Sequence, residues 1–354
     1  MTKALVYEKL KNNLVRCQVC QRSCLIPEGK IGFCLTKLNK KEELFSLNYG
    51  LIKGVQLDPI EKKPFYHFHP GAWVPSIGSF GCNFRCKQCL NWECSWGEPA
   101  QTLLRKIMAG EPAKIIEPEQ LISDLKKTGY KSIAFTYNEP VVWAEYVLDA
   151  ARLAKQKGLF TVFVTNGSWS KKTLDKIGPY IDAANIDFKG FSDKTYNKMG
   201  AFFGQIPQMA KYAQEKYNIF IEITTLLIPG INDDKEELKE MTEWMVKNLG
   251  PKTPWHLSRF DPELAPDKDF QKIQPTSVKA LDKAALIGRK SCLKFVYIWA
   301  PGNDIKRGLY SQGNTFCPKC GKLAIERSAW QPKLVNVDKD GCCLSCHEDL
   351  NIKL

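Results

Sequence analysis

Three cysteines, Cys82, Cys86 and Cys89, fall in the run Ser79-Phe-Gly-Cys-Asn-Phe-Arg-Cys-Lys-Gln-Cys-Leu-Asn91. A four-iron cluster ordinarily takes four thiolates, so three leave one iron open to a small molecule. A structural zinc ion usually closes its site with four ligands in paired spacings. The Cys-x3-Cys-x2-Cys triplet lacks that pairing and favours a [4Fe-4S] cluster.

Two further cysteine groups flank the triplet. Cys17, Cys20, Cys24 and Cys34 supply four thiols in a short span, which suits zinc and an auxiliary iron–sulfur cluster alike. Spacing alone does not separate the two, and zinc is slightly preferred. Near the other end, Cys317-Pro-Lys-Cys320 and Cys343-Leu-Ser-Cys346 have the pair-and-pair spacing of a zinc ribbon. Cys342 and His347 are alternative ligands there. Cys94 and Cys292 have no evident partner and read as packed thiols.

Other candidate groups sit where short β-branched and aromatic runs end: Asn138 and Glu139 after Ser132-Ile-Ala-Phe-Thr, Asn166 after Phe160-Thr-Val-Phe-Val-Thr, and Asp187 and Lys189 after Ala184-Asn-Ile. Asp187 and Lys189 alternate and so share a face, where a lysine could hold a carboxylate. His256 and Arg259, in Pro254-Trp-His-Leu-Ser-Arg-Phe260, are read as facing the substrate, His256 as hydrogen-bond donor or acid–base group.

The elements that position these residues alternate. Strand-like runs are separated by helical patterns such as Val142 to Gln156, and Asp234 to Leu249 with Leu238, Met241, Met245 and Leu249 on one face, Asn232-Asp233 as a start and Gly250 as a stop. That order implies an α/β protein with a parallel sheet, and about six such units close naturally into a full or partial barrel with active residues at the strand C-terminal ends. Cysteine usage divides the chain into a Cys-rich segment 1–70, a core 71–305 and a Cys-rich module 306–354.

Composition bounds the rest. The 354 residues, 44% apolar, are enough for a large core with appendages, and no apolar run is long enough to cross a bilayer. The first residues carry no secretory signal, so a cytoplasmic location without membrane association is expected, and fourteen cysteines there read as metal ligands rather than disulfides. The formal charge of +13 fits an acidic protein, an anionic small substrate or a nucleic acid. No arginine-rich stripe interleaved with aromatics appears, which does not favour nucleic acid.

The triplet resembles that of the radical SAM enzymes, in which the open iron holds S-adenosylmethionine through its amino and carboxylate groups. The resemblance implies one-electron cleavage to methionine and a 5'-deoxyadenosyl radical, which takes hydrogen from a substrate. It also implies a partial (β/α)6 TIM-like barrel with the cluster on the loop after the first strand, Trp73 to Ser79. Asn138 and Glu139 stand where that pattern has a Gly-Gly-Glu-type motif gripping the methionyl ammonium, without the two glycines. Asn166 would meet the ribose. Asp187 and Lys189 match an Asp-x-Lys that contacts S-adenosylmethionine in glycyl-radical activating enzymes. Gln88 occupies the position before the third cysteine where an aromatic is common, leaving Phe84 or Trp92 to stack on the adenine. The N-terminal cysteines with Pro64-Phe-Tyr-His-Phe-His-Pro-Gly71, the triplet and the closing ribbon resemble the AmmeMemoRadiSam-system radical SAM enzymes, close to the pyruvate formate-lyase activating enzymes. That likeness offers Memo-like and AMMECR-like proteins as partners but supplies no substrate. The basic charge is compatible with a flavodoxin or ferredoxin as electron donor, and the triplet, the activase-like core and the two metal modules point to a protein or other macromolecule as substrate. A small metabolite, a nucleic acid base, or a non-catalytic scaffold or redox sensor are the competing readings.

Overall fold

The computed structural model describes residues 1–299, 313–328 and 330–354; the expected boundary at 305/306 lies outside the described residues. The chain forms two compact units. The first comprises Met1–Leu57, Val74–Ala184 and Gly200–Ile219, and the second comprises Asp58–Trp73, Asn185–Met199 and Phe220–Leu354.

In the first unit, strands β1 (Trp73–Gly78), β2 (Ser132–Phe135) and β3 (Phe160–Thr165) are neighbours in a parallel sheet, with Ile77 opposite Phe135 and Val162 opposite Ala134. All four residues of β2 are buried, the signature of a strand covered on both faces. After β2 comes the helix Ala144–Gln156, which buries Ala144, Val147, Ala150, Ala151 and Ala154 on one stripe. Small residues at that spacing let the helix lie close to the sheet. Val142, expected to start this helix, instead belongs to a 3-10 turn, Pro140–Trp143. The helix after β3, Lys171–Ile177, starts at Ser170, whose hydroxyl accepts from the Thr173 amide.

Short antiparallel strands build the N-terminal part of this unit, among them Val15–Cys17, Lys37–Lys40 and Glu43–Ser46. A buried ion pair fastens them: Lys37 Nζ lies 2.6 Å from Glu145 and donates to the Val142 carbonyl, while Glu145 accepts from the Leu5 amide. Both side chains are almost fully shielded from water, so losing either partner strands a charge in the interior.

The second unit holds β4 (Ala183–Asp187, from Asn185 on), β5 (Phe220–Leu227), β6 (Trp255–Arg259) and β7 (Val296–Trp299), neighbours in that order. Thr224 stands opposite His256, and His256 opposite Tyr297, in parallel register. The helix after β5 spans Lys235–Asn248 with Asp234 as its N-cap and buries Leu238, Met241 and Met245, three of the four expected core residues; the fourth, Leu249, is its buried C-cap. Asn232, expected at its start, binds instead the Ile228 amide and the Lys189 and Leu226 carbonyls. Strands Thr315–Phe316, Leu323–Ser328 and Gln331–Leu334 form an antiparallel C-terminal sheet. Among the described residues no helix is long and apolar enough to cross a membrane.

Candidate active site

The loop after β1 is fixed by the ends of the next two strands. β1 and β2 approach so closely that a Cβ on Gly78 would sit 2.8 Å from the Thr136 carbonyl oxygen. The chain then turns at Tyr137, a non-glycine residue at φ 72°, a conformation that costs energy and recurs at functional sites. The turn aims Asn138 back at the loop. Its Oδ1 accepts from the Ser79 amide at 2.9 Å and its Nδ2 donates to the Gly81 carbonyl at 2.9 Å, bracketing the approach to Cys82.

Glu139 ties the next two strand ends together. Its carboxylate accepts from the Val141 amide at 3.0 Å, the Thr165 hydroxyl at 2.7 Å and the Asn166 amide at 2.7 Å. Asn166 in turn donates to Asn83 Oδ1 at 3.0 Å and accepts from the Ser168 hydroxyl, which itself accepts from Asn83 Nδ2. Asn138 and Asn166 thus bond to the cysteine loop, and Glu139 joins the two strand ends that carry them. Asn83 and Ser168, which complete the arrangement, were not legible in the sequence because no local pattern marks them.

The loop itself shields its thiols from water. Cys82 and Cys86 are buried and Cys89 is half-buried. Burial first, then the neighbouring Cys86, pushes the Cys82 thiol well up, and the Phe84 amide partly offsets this by donating to its sulfur at 3.4 Å. Cationic iron would reverse the preference and stabilise the thiolates. Gln88 Oε1, beside Cys89, is buried and carries no hydrogen bond, so it is placed to accept from a ligand. Phe84 is committed to an edge-on contact with Phe202 at 4.9 Å, which leaves Trp92 as the more accessible of the two expected adenine platforms. These residues fit a three-cysteine cluster.

In the second unit Asp187 ends β4, and Lys189 Nζ lies 2.5 Å from it. Asp187 Oδ1 is shielded and carries no hydrogen bond. The Lys189 backbone is pinned by the Tyr196 hydroxyl and by Asn232.

His256 and Arg259 do not act as a pair. They are three residues apart on β6, so strand alternation sends them to opposite faces. His256 is fully buried and its Nε2 lies 2.6 Å from Glu222. Glu222 also accepts from the Tyr66, His67 and Phe68 amides. Burial raises the Glu222 carboxyl, but His256 and the backbone donors outweigh it and hold the group below its ordinary range. The expected substrate-facing histidine is therefore enclosed in a polar knot. His67 Nδ1 donates to the Leu350 carbonyl at 3.0 Å and its Nε2 accepts from the Tyr297 hydroxyl at 2.6 Å. Tyr297 is joined to Thr315, and Thr315 to Arg327.

The C-terminal cysteines gather as expected. The Cys317, Cys320, Cys343 and Cys346 sulfurs all lie within 4.8 Å of one another, with Cys317 to Cys346 at 3.5 Å and Cys320 to Cys343 at 3.7 Å. A tetrahedral ion with metal–sulfur bonds of about 2.3 Å places its sulfurs about 3.8 Å apart, so this arrangement fits a single ion. Asn336 donates to the Cys343 sulfur at 3.1 Å. Burial raises the Cys343 thiol, but the Ser345 and Cys346 amides lower it further, to about 6. Cys342 and His347 stand outside the four-sulfur group. Cys94 is buried as expected, whereas Cys292 is exposed: it follows the end of the helix Val278–Lys290, in a turn at φ 74°.

The radical SAM superfamily matches residues 76–244, which begin within β1 and span the cysteine loop, Glu139, Asn166, Asp187 and Lys189. An uncharacterized protein of Methanocaldococcus jannaschii is 35% identical over 356 residues, covering all of both chains. The chain carries a radical SAM domain. It is also similar to the pyruvate formate-lyase-activating enzyme of Clostridium pasteurianum, with 23% identity over 175 residues, 48% of this chain and 67% of that one. A solved domain of a pyruvate-formate lyase-activating enzyme from Bacteroides vulgatus aligns with a TM-score of 0.39 at 20% identity, covering 47% of this chain and 98% of that domain. The protein is thus a radical SAM enzyme distantly related to glycyl-radical activating enzymes, and the family implies a [4Fe-4S] cluster and S-adenosylmethionine.

Proposed function

We propose that this radical SAM enzyme cleaves S-adenosylmethionine reductively at a [4Fe-4S] cluster held by Cys82, Cys86 and Cys89, and abstracts hydrogen from a protein or other macromolecule. When bound, the cluster supplies the electron that splits S-adenosylmethionine into methionine and a 5'-deoxyadenosyl radical. One observation carries the reading: three buried or half-buried cysteines on a loop that Asn138 and Asn166 hold from the ends of the next two parallel strands.

The protein's own groups position and shield. Asn138 and Glu139 keep the loop and strand ends in register. Gln88 Oε1 offers an acceptor beside Cys89, and in the second unit Asp187 Oδ1 is a shielded acceptor without a hydrogen bond. Lys189 neutralises Asp187 and holds a carboxylate. In this reading the parallel strands close as a partial (β/α)6 barrel and the C-terminal cysteines hold zinc in a ribbon. The N-terminal motifs support the AmmeMemoRadiSam branch, with Memo-like and AMMECR-like partners. The net charge of +13 suits an acidic flavodoxin- or ferredoxin-type donor and a cytoplasmic setting.

The test is 5'-deoxyadenosine formation by anaerobically reconstituted protein given dithionite and S-adenosylmethionine, with and without cell extract. Iron-dependent product that vanishes in Cys89→Ala is expected. Absence of product under all these conditions, with a full iron complement, overturns the proposal.

A further inference from the structure

We propose that Cys17, Cys20, Cys24 and Cys34 ligate a second iron–sulfur cluster, built against the loop that carries Cys82, Cys86 and Cys89. The fold first brings these cysteines together. The Cys17 amide donates to the Cys24 carbonyl at 2.9 Å, and the Ser23 amide closes a turn on the Cys20 carbonyl. Cys17, Cys20 and Cys34 are less than a tenth exposed. Arg22, between Cys20 and Cys24, lies 3.7 Å over the ring of Phe33, the neighbour of Cys34, so the fold brings the Cys34 segment against the other three.

The spread of the sulfurs separates the occupants. Among the described residues, the group of cysteine sulfurs within 4.8 Å of one another is Cys317, Cys320, Cys343 and Cys346. The N-terminal four are not such a group, although they are neighbours. Cys82, Cys86 and Cys89 are likewise neighbours without that close gathering. A single zinc ion draws four sulfurs to about 3.8 Å from one another. A cluster distributes its thiolates over two or four irons, so four sulfurs are not all drawn to single-ion distances of one another. Both [2Fe-2S] and [4Fe-4S] forms take four thiolates. This reverses the slight preference for zinc drawn from spacing.

The two cysteine sites share a wall. Gly81, next to Cys82, has φ 95°, and a Cβ on it would fall 2.6 Å from the Cys34 carbonyl oxygen and 2.2 Å from Thr36 Cγ2. Thr36 in turn lies 3.1 Å from the Cys34 sulfur. Two guanidinium groups stand at this wall. Arg85 donates to the Cys82 carbonyl at 2.8 Å and to the Phe33 carbonyl, and Arg22 donates to the Asn83 carbonyl at 3.1 Å. Arginines bridging the segments on either side suit two thiolate-rich, anionic centres set close together.

The experiment isolates the second site. Full-length Cys82→Ala/Cys86→Ala/Cys89→Ala protein is purified anaerobically and assayed for iron, acid-labile sulfide and zinc, and its dithionite-reduced form is examined by electron paramagnetic resonance. The expected result is about two to four irons with matching sulfide per chain, a reduced-cluster signal, and loss of both when Cys17→Ser/Cys20→Ser is added. A triple variant that holds zinc but no iron or sulfide overturns the proposal. The reciprocal Cys17→Ser/Cys20→Ser variant guards against misfolding of the first. A fall in its iron by about a third to a half supports the second cluster, and an unchanged iron content refutes it. These readouts do not depend on S-adenosylmethionine cleavage, so failure here is distinguishable from failure of the proposed activity.

Discussion

The N-terminal and C-terminal tetracysteine sets look alike on paper and differ in space. Cys317, Cys320, Cys343 and Cys346 close to single-ion distances inside a small antiparallel module, and Cys317 and Cys343 are core members beside Tyr66, Phe295, Ala324 and Leu350. Cys17, Cys20, Cys24 and Cys34 do not form such a close group, and Cys34 with Thr36 packs against Gly81 of the loop bearing Cys82. Pair spacing reports how many thiolates a segment offers. What surrounds them decides whether the centre fastens a module or serves a reaction.

The comparison breaks if the C-terminal metal can be removed at little cost. Cys320→Ser/Cys343→Ser, or a strong chelator, should unfold the module, because metal binding to such sites contributes on the order of 10 kcal/mol of folding free energy. Expected are one fewer zinc per chain, loss of the cooperative thermal transition of the module, and iron unchanged. Iron lost in parallel would show that the two sets are not independent.

The polar knot beneath that module supplies the next largest effect. Glu222→Ala removes the acceptor of three backbone amides and of His256, and breaking a buried pair from one side costs about 3–5 kcal/mol. Urea midpoints should fall accordingly. A change below about 1 kcal/mol would mean that water reaches the knot and that His256 is available to substrate after all.

His67 gives the knot a pH signature. Burial lowers its imidazole to about 4, so it stays neutral while accepting from Tyr297. Between about pH 6.5 and 4 the unfolded chain binds a proton that the folded chain refuses, so stability is lost as pH falls through that window. The amount is about 3 kcal/mol, from about 1.4 kcal/mol per pH unit. Glu61 has the opposite sign, since burial raises it to about 7 and its contribution is lost as pH rises through that value. Comparing His67→Gln with the parent chain cancels the Glu61 term. The acid slope of the urea midpoint should flatten in the variant, and an unaltered slope would show that His67 is not the group responsible.

These contrasts also mark how much the sequence carried. Strands β2 to β6 and the helix Lys235–Asn248 were legible because alternation, β-branching and helical spacing are local properties, and so was the convergence of Asn138, Glu139 and Asn166 at strand ends. The role of His256 was not. A histidine three residues from an arginine reads as a pair only if strand alternation is ignored, and its partner Glu222 lies on another strand with no motif around it. Asn83 and Ser168 escaped for the same reason, since their bonds to Asn166 are made only by the fold. Sulfur separation was likewise invisible, because it depends on what packs around each thiol.

Asn138 sharpens the functional side of the comparison with the smallest change. Asn138→Ala deletes two hydrogen bonds and leaves the Ser79 amide and the Gly81 carbonyl unpaired in the interior, a loss of about 1–3 kcal/mol. If its main work is to hold the cysteine loop, iron content and S-adenosylmethionine cleavage should fall together. Zinc content should stay at the parental value, because Asn138 bonds to the Ser79 amide and the Gly81 carbonyl and not to the C-terminal cysteines. If Asn138 instead contacts the cofactor, iron would stay at the parental value while the S-adenosylmethionine concentration needed for half-maximal cleavage rises. The first outcome assigns the strand end to loop support, and the second moves Asn138 into the binding pocket.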